Sequence, residues 1–284
     1  MQYLWLTLIV VLVTYQSIAK KQYNVKHNGQ NPFLFTAITS FFAILVFAVI
    51  GIGNFSFEPG FIPYSIAFAV AHGSASLGLF LAIKYGSLSI TLLVTSYSLI
   101  VPTLYGIVAL GESLKIVGYV GLVLLFISLF LIRNKESGDG KKANVKWLIC
   151  LIVAFVSNGM CSTIQKMQQL AFEEKYKTEF MIIALAISST VLFIAALCDR
   201  KTFKSEFMGC IPLGALSGLA NGVTNYLVMV LTGLIPTALL FPIISAGGIV
   251  LGFILAVTIY KERLSKTQLV GYFLGTASVV LLNI

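Results

Sequence analysis

Charge is what this sequence has least of. Only 10% of its 284 residues are Asp, Glu, Lys or Arg, while 58% are hydrophobic; an average soluble domain carries roughly 25% charged residues. A water-soluble fold has no means of covering that much apolar surface, so a soluble globule is excluded. Cysteine is also scarce. Cys150, Cys161, Cys198 and Cys210 lie in or at the ends of apolar runs, without the paired spacing of a metal or redox motif, and read as small buried hydrophobes. There is no Gly-x-x-x-x-Gly-Lys-Ser/Thr loop, which argues against direct ATP drive. There is also no His-Glu-x-x-His pair, Gly-x-Ser-x-Gly elbow or cluster of metal ligands. The chain is therefore not read as an enzyme, and no cofactor or metal is expected.

Long apolar runs separated by short polar clusters are what is there. A bilayer-spanning helix needs about 20 predominantly apolar residues, and lipid offers no partners to exposed backbone groups. On those criteria the spans fall at 2–19, 33–53, 61–83, 88–110, 115–132, 146–165, 180–198, 209–232, 237–260 and 266–283. The fold class is thus an all-α integral membrane protein with ten transmembrane helices. The first run has no basic segment before it, and Ser17-Ile18-Ala19-Lys20 is a poor cleavage site, so it reads as a span rather than a signal peptide.

The net charge of +9 would suggest a nucleic-acid partner in a soluble protein, but here the basic residues sit in short loops beside apolar spans, where they set orientation. The loops after spans one, three, five, seven and nine hold fifteen of the 19 Lys and Arg residues. The other side holds Lys115, Lys166, Lys175 and Lys177. Basic residues near span ends stay on the cytoplasmic side. The odd-numbered loops are therefore expected in the cytoplasm and both termini outside, in a multi-pass protein of the plasma membrane.

The most polar loop, 133–142, leaves five spans on each side and reads as a linker. Short stretches recur in the same order in both halves. Ser17-Ile18-Ala19-Lys20-Lys21-Gln22 matches Thr163-Ile164-Gln165-Lys166-Met167-Gln168; Tyr85-Gly86-Ser87 matches Thr232-Gly233-Leu234; Gly111-Glu112-Ser113-Leu114 matches Lys261-Glu262-Arg263-Leu264. A Gly-Tyr pair follows in each half, Gly118-Tyr119 and Gly271-Tyr272. Five is odd, so the second half must cross the membrane in the opposite sense. The expected organisation is a first five-helix repeat over 1–134, a cytoplasmic linker over 135–145 and a second, inverted repeat over 146–284. Inverted repeats characterise secondary transporters, with the solute held near the midplane between the halves.

Three stretches resemble the ten-helix, EamA-like branch of the drug/metabolite transporter superfamily. They are Ala82-Ile83-Lys84-Tyr85-Gly86-Ser87-Leu88-Ser89, Tyr260-Lys261-Glu262-Arg263-Leu264-Ser265 followed by Gly271, and the first-half copy Leu110-Gly111-Glu112-Ser113-Leu114. The Lys20 and Lys166 endings of spans one and six also fit. The resemblance implies two inverted five-helix repeats and the movement of small organic solutes, without specifying which. The family's usual Trp-Gly pair in span one is replaced by Thr14-Tyr15-Gln16, and Asn158-Gly159 keeps only the glycine in span six.

Polar groups near span centres cost several kcal/mol if unpaired, so they mark candidate sites. His72, in Ala71-His72-Gly73-Ser74, is the readily ionisable side chain placed near a midplane. It reads either as a proton-coupling group or as a neutral interhelical hydrogen-bonding partner. Asn221, Thr224 and Asn225 share one helical face. Gln16 with Thr14, and Asn158 with Ser162 and Gln165, form polar stripes on spans one and six. Pro102 and Pro242 interrupt spans four and nine, a pointer to a binding site or a plain kink, with Ser96 and Tyr97 beside the first and Ser245 beside the second. Glu112 and Glu262 read as residues that fix the turns before spans five and ten. Lys20, Lys84 and Lys166 snorkel to the interface or gate an anionic solute. The cavity candidates are thus Gln16, His72, Ser96, Tyr97, Asn158, Gln165, Asn221, Asn225 and Ser245.

No Asp or Glu falls near a midplane, which disfavours lipophilic cations. The leading expectation is a secondary transporter exporting a small neutral, zwitterionic or weakly anionic metabolite such as an amino acid. A proton is the candidate coupling ion, and monomer and homodimer are both compatible with the sequence. A non-transporting assembly or receptor subunit ranks second and a membrane-embedded enzyme third. The orientation has a direct test: a reporter active only in the cytoplasm, fused after Ile284, is expected to be silent, and an active fusion overturns the assignment.

Overall fold

A computed structural model describes residues 2–27, 30–52, 55–111, 116–133, 145–173, 175–232 and 237–281. The expected linker over 135–145, with the exception of Val145, and the turn residues Glu112 and Gly233 fall outside them.

The described residues are overwhelmingly helical and contain no strand. The helices are α1 (Gln2–His27), α2 (Pro32–Ile50), α3 (Ile62–Tyr85), α4 (Leu88–Ser96), α5 (Ile100–Leu110), α6 (Ile116–Arg133), α7 (Val145–Ala171), α8 (Lys177–Leu197), α9 (Arg200–Thr232), α10 (Thr237–Thr258) and α11 (Lys266–Leu281). Seven of these segments, at Tyr3–Lys26, Pro32–Ile50, Pro59–Tyr85, Leu88–Gly106, Val145–Ala171, Lys177–Leu197 and Arg200–Val228, are long and apolar enough to cross a membrane. Two shorter apolar stretches are Ile116–Ser128 and Ile244–Thr258. The surface agrees with a lipid environment: Phe126, Phe130 and Val70 stand 64–66% exposed, whereas Ser128, Ser217 and Ser278 are fully buried. The chain is an all-α membrane protein.

Local chemistry explains where the helices begin and break. Asn31 caps α2 by accepting from Leu34 N at 3.0 Å, with Pro32 in the first turn, where a missing N–H costs nothing. α1 runs on to His27, eight residues beyond the apolar run, because Lys20, Lys21 and Gln22 are good helix formers in a layer where hydropathy no longer reports the helix. α4 and α5 are one segment interrupted by a 3₁₀ turn at Tyr97–Leu99. Pro102 has no N–H to give the carbonyl of Ser98, four residues back, so the ladder opens there. The interruption expected at Pro242 is absent: α10 is continuous over Thr237–Thr258. Pro242 falls in its second turn, where it removes a single ladder bond.

Small residues set how closely the helices approach. α9 packs on α2 and α1, α7 on α3, α8 on α2 and α3, and α6 on α11. Gly214, Gly218 and Gly222 recur every fourth residue along α9. A Cβ on Gly214 would meet Ile38 Cγ2 at 2.8 Å, one on Gly218 would meet Phe42 Cβ at 2.7 Å, and one on Gly222 would meet Val46 Cβ at 2.7 Å. This is the small-residue contact that lets membrane helices pack without a hydrophobic driving force.

Glu262, in the turn between α10 and α11, is buried at one end of the bundle and reaches across to the first half of the chain. Its carboxylate accepts from Leu88 N at 2.7 Å, Ser89 N at 3.2 Å, Ser87 Oγ at 2.9 Å and Ser89 Oγ at 2.5 Å, and it pairs with Lys21 Nζ at 3.5 Å. It therefore caps the N-terminus of α4, where the first N–H groups have no helical partner and the dipole favours an anion. Trp147, at the start of α7, donates from Nε1 to Thr91 Oγ1 at 3.2 Å beside it. Tyr23 and Glu206 pair between α1 and the start of α9. At the opposite end of the 24-residue α3, Glu179 accepts from Ser56 N at 3.0 Å.

Burial would raise the Glu262 carboxyl pKa, but the hydrogen bonds from Ser89 and Leu88 and the charge of Lys21 outweigh it and hold the group below its ordinary value. A depressed folded pKa contributes stability that is complete above the unfolded value and lost as pH falls through the folded one. Glu262→Gln is therefore expected to lower the thermal midpoint of the detergent-solubilised protein at pH 7, by the equivalent of about 3 kcal/mol. The gap between variant and wild type should narrow as pH falls through the lowered folded pKa. Scanning fluorimetry across pH checks both.

Candidate functional site: a polar cavity between six helices

A cavity of about 320 Å³ lies where α1, α3, α4 with its 3₁₀ turn, α7, α9 and α10 meet. Eight of the nine residues expected at a site line it: Gln16, His72, Ser96, Asn158, Gln165, Asn221, Asn225 and Ser245.

The ninth, Tyr97, is placed elsewhere. It is 1% exposed and packed among Ile90, Leu93, Ile249 and Tyr272. Its hydroxyl meets Ser128 Oγ at 2.6 Å, and Ser128 Oγ donates to Gly271 O at 2.7 Å, so the Tyr97 hydroxyl donates to Ser128. Consecutive residues in the 3₁₀ turn point in different directions: Ser96 and Ser98 face the cavity, while Tyr97 braces the turn against the α6–α11 pair. Gly275 leaves room for that ring, since a Cβ there would also meet Ser128 Oγ at 2.6 Å.

A chain of carboxamides crosses the α1–α9 contact. Asn225 Nδ2 donates to Asn221 O at 2.9 Å and Oδ1 at 3.2 Å; Asn221 Nδ2 donates to Gln16 Oε1 at 2.9 Å; Gln16 Nε2 donates to Thr224 Oγ1 at 3.4 Å and Leu12 O at 3.3 Å. The shared helical face read from the sequence for 221, 224 and 225 is thus turned toward α1. On the other side, Asn158 of α7 donates to Ser98 Oγ at 2.6 Å, in the turn that Pro102 opens. Gly159 makes this approach possible: a Cβ there would meet Val101 Cβ at 2.5 Å and Ser98 O at 2.7 Å. Gln165 Nε2 lies 3.7 Å from Met181 Sδ, a weak acceptor. His72 stacks on Phe68 with ring centroids 5.8 Å apart and has Nε2 3.5 Å from Ser40 Oγ of α2.

Four hydroxyls of the lining send their protons to their own helices. Thr14 Oγ1 donates to Val10 O at 2.8 Å, Ser17 Oγ to Val13 O at 3.4 Å, Thr95 Oγ1 to Thr91 O at 2.8 Å and Ser96 Oγ to Leu92 O at 2.8 Å. What they present to the cavity is lone pairs. Sequence reasoning missed Ser17 and Cys161 as lining residues. Ser17 was hidden by its place in the run that ends span one, and Cys161 reads as a small hydrophobe. No Asp or Glu is among the lining residues, and no group of His, Cys, Asp and Glu side chains arranged to hold a metal occurs among the described residues.

No family model matches the sequence. An uncharacterized protein of Haemophilus influenzae (strain Rd) is 26% identical over 183 residues; the alignment takes in 64% of this chain and spans 62% of the relative's length. A solved crystal structure of a protein superposes with a TM-score of 0.62 at 15% identity, covering 96% of this chain and 97% of that one. At that identity the likeness is one of fold, and it extends over essentially the whole chain.

Proposed function

We propose that this protein is a secondary transporter of the EamA-like branch of the drug/metabolite transporter superfamily, exporting a small neutral, zwitterionic or weakly anionic metabolite by alternating access. In this reading the interrupted α4–α5 segment is one crossing. Ten crossings form two inverted five-helix repeats, 1–134 and 146–284, joined by a cytoplasmic linker at 135–145. The protein sits in the plasma membrane with both termini outside.

The observation that carries the reading is which helices line the cavity. They are the first, third and fourth crossings of the first half (α1, α3, α4) and the first, third and fourth of the second (α7, α9, α10). The helix pairings exchange in the same way: α1 on α9 corresponds to α7 on α3, α2 on α9 to α8 on α3, and α1 on α10 to α7 on α4 and α5. The α2–α8, α4–α10 and α6–α11 pairs each map onto themselves. Two inverted repeats around a midplane site would produce this exchange, with rocking of one half against the other opening the cavity to each side in turn. The contacts at the bundle ends agree with it, since the connections after α1, after α3, before α7, before α9 and after α10 gather at one end around Lys21, Trp147, Glu206 and Glu262.

His72 is the candidate proton-coupling group of this reading, because it is the cavity side chain that changes charge near neutral pH in its unperturbed state. Counterflow in proteoliposomes, screened over amino acids, sugars and organic anions at two pH values, tests the proposal. At least one solute is expected to accumulate chemically unchanged. Asn158→Leu and Asn221→Leu are each expected to reduce its rate about tenfold or more while leaving the protein monodisperse, in line with the cost of unpairing polar groups at a dry site. Full wild-type pH dependence in His72→Ala removes His72 from coupling, and conversion of the solute to another compound overturns the transport reading.

A further inference from the structure

The cavity lining holds one lysine, and no carboxylate among the described residues pairs with it. Lys20 lies on α1 one turn beyond Gln16 and on the same face, lines the cavity and is only 8% exposed. Its ammonium makes no hydrogen bond or ion pair among the described residues. Its neighbour Lys21 points the other way and is the partner of Glu262. The Lys20 Nζ is not sealed off either: the shut-in, unpaired side-chain atoms among the described residues are Asn24 Oδ1, Ser188 Oγ and Ser217 Oγ. Keeping an ammonium out of bulk water without a counter-ion costs several kcal/mol, and intramembrane ionisable residues that face a cavity mark solute pathways.

The rest of the lining directs what that charge can meet. No carboxylate stands in the wall, and the hydroxyl protons of Thr14, Ser17, Thr95 and Ser96 are held by backbone carbonyls, so these four groups offer the cavity acceptors alone. Lys20, with three N–H groups and no acceptor of its own, is the charged donor of the lining. An anion entering this space finds one strong partner, and a cation finds none that is charged.

We infer that the cavity binds small organic acids and that the Lys20 ammonium anchors their carboxylate. The inference rests on the transport reading for the meaning of occupancy, but binding itself is separately measurable. Acetate, lactate, L-alanine, L-leucine and phenylacetate, each alongside its own primary amide, serve as probes of the full-length protein. Thermal stabilisation in detergent reads binding, and counterflow of the radiolabelled acid in proteoliposomes reads transport. At least one acid is expected to raise the melting temperature of the wild type where its amide does not. Lys20→Gln should weaken that acid's effect about tenfold or more, Lys20→Arg should retain part of it, and Lys201→Gln, on an exposed lysine outside the cavity, should leave it unchanged.

The acid-against-amide comparison in the wild type needs no variant to fold. Amides that stabilise as well as acids, no acid that stabilises at all, or a monodisperse Lys20→Gln that binds acids like the wild type would each overturn the inference. Lys20-dependent binding without flux keeps the site and overturns transport. Flux of neutral solutes that ignores Lys20→Gln keeps transport and overturns the site.

Discussion

A polar side chain inside hydrocarbon has to find its partner within the protein, because lipid offers none. That constraint organises this molecule. Gln16, Asn221, Asn225 and Thr224 satisfy one another across the α1–α9 contact, and Asn158 satisfies itself on Ser98. The Asn221–Gln16 and Asn158–Ser98 pairings each fix the rotation of two segments at once. The polar stripes therefore face inward and converge, while Phe126, Phe130 and Val70 are left on the outside. The cavity follows from this arrangement: carboxamides and hydroxyls do not fill space as aliphatic side chains do.

Close backbone approach supplies the complementary half of the design. The Gly214, Gly218 and Gly222 stripe seats α9 on α2, and Gly159 seats α7 on the broken α4–α5 segment. Such contacts are rigid within a helix pair. The contacts at the Glu262 end are different in kind, being built from a few charge-assisted hydrogen bonds and one ion pair. Both glycine seats join the first half of the chain to the second, so rocking of one half against the other would have to slide these contacts as well as break the bonds at the Glu262 end.

The helical character and the apolar segments were legible in the sequence because hydropathy reports them directly. The shared face of Asn221, Thr224 and Asn225 was legible because helical spacing dictates it. Partners distant along the chain were not. Glu262 reads locally as a turn residue, and its true contacts, Ser87 to Ser89, lie 173 to 175 residues away. Tyr97 lies between two cavity-facing serines and looks like one of them until the 3₁₀ turn is known to rotate it toward Ser128. Lys20 and Lys21 are indistinguishable as a pair of interfacial cations; only the packing of α1 sends one into the cavity and the other to Glu262.

The central claim is that the cavity sits between two inverted halves and is opened to the two sides of the membrane in turn. It is tested most directly by a single cysteine at Ser245 in an otherwise cysteine-free protein, reconstituted in sealed vesicles of known orientation and probed with a membrane-impermeant thiol reagent. The account predicts that this cysteine reacts from one face at a time, and that saturating a transported solute changes the rates from the two faces in opposite directions. A cysteine that reacts from neither face, or from both at rates no solute alters, would contradict it.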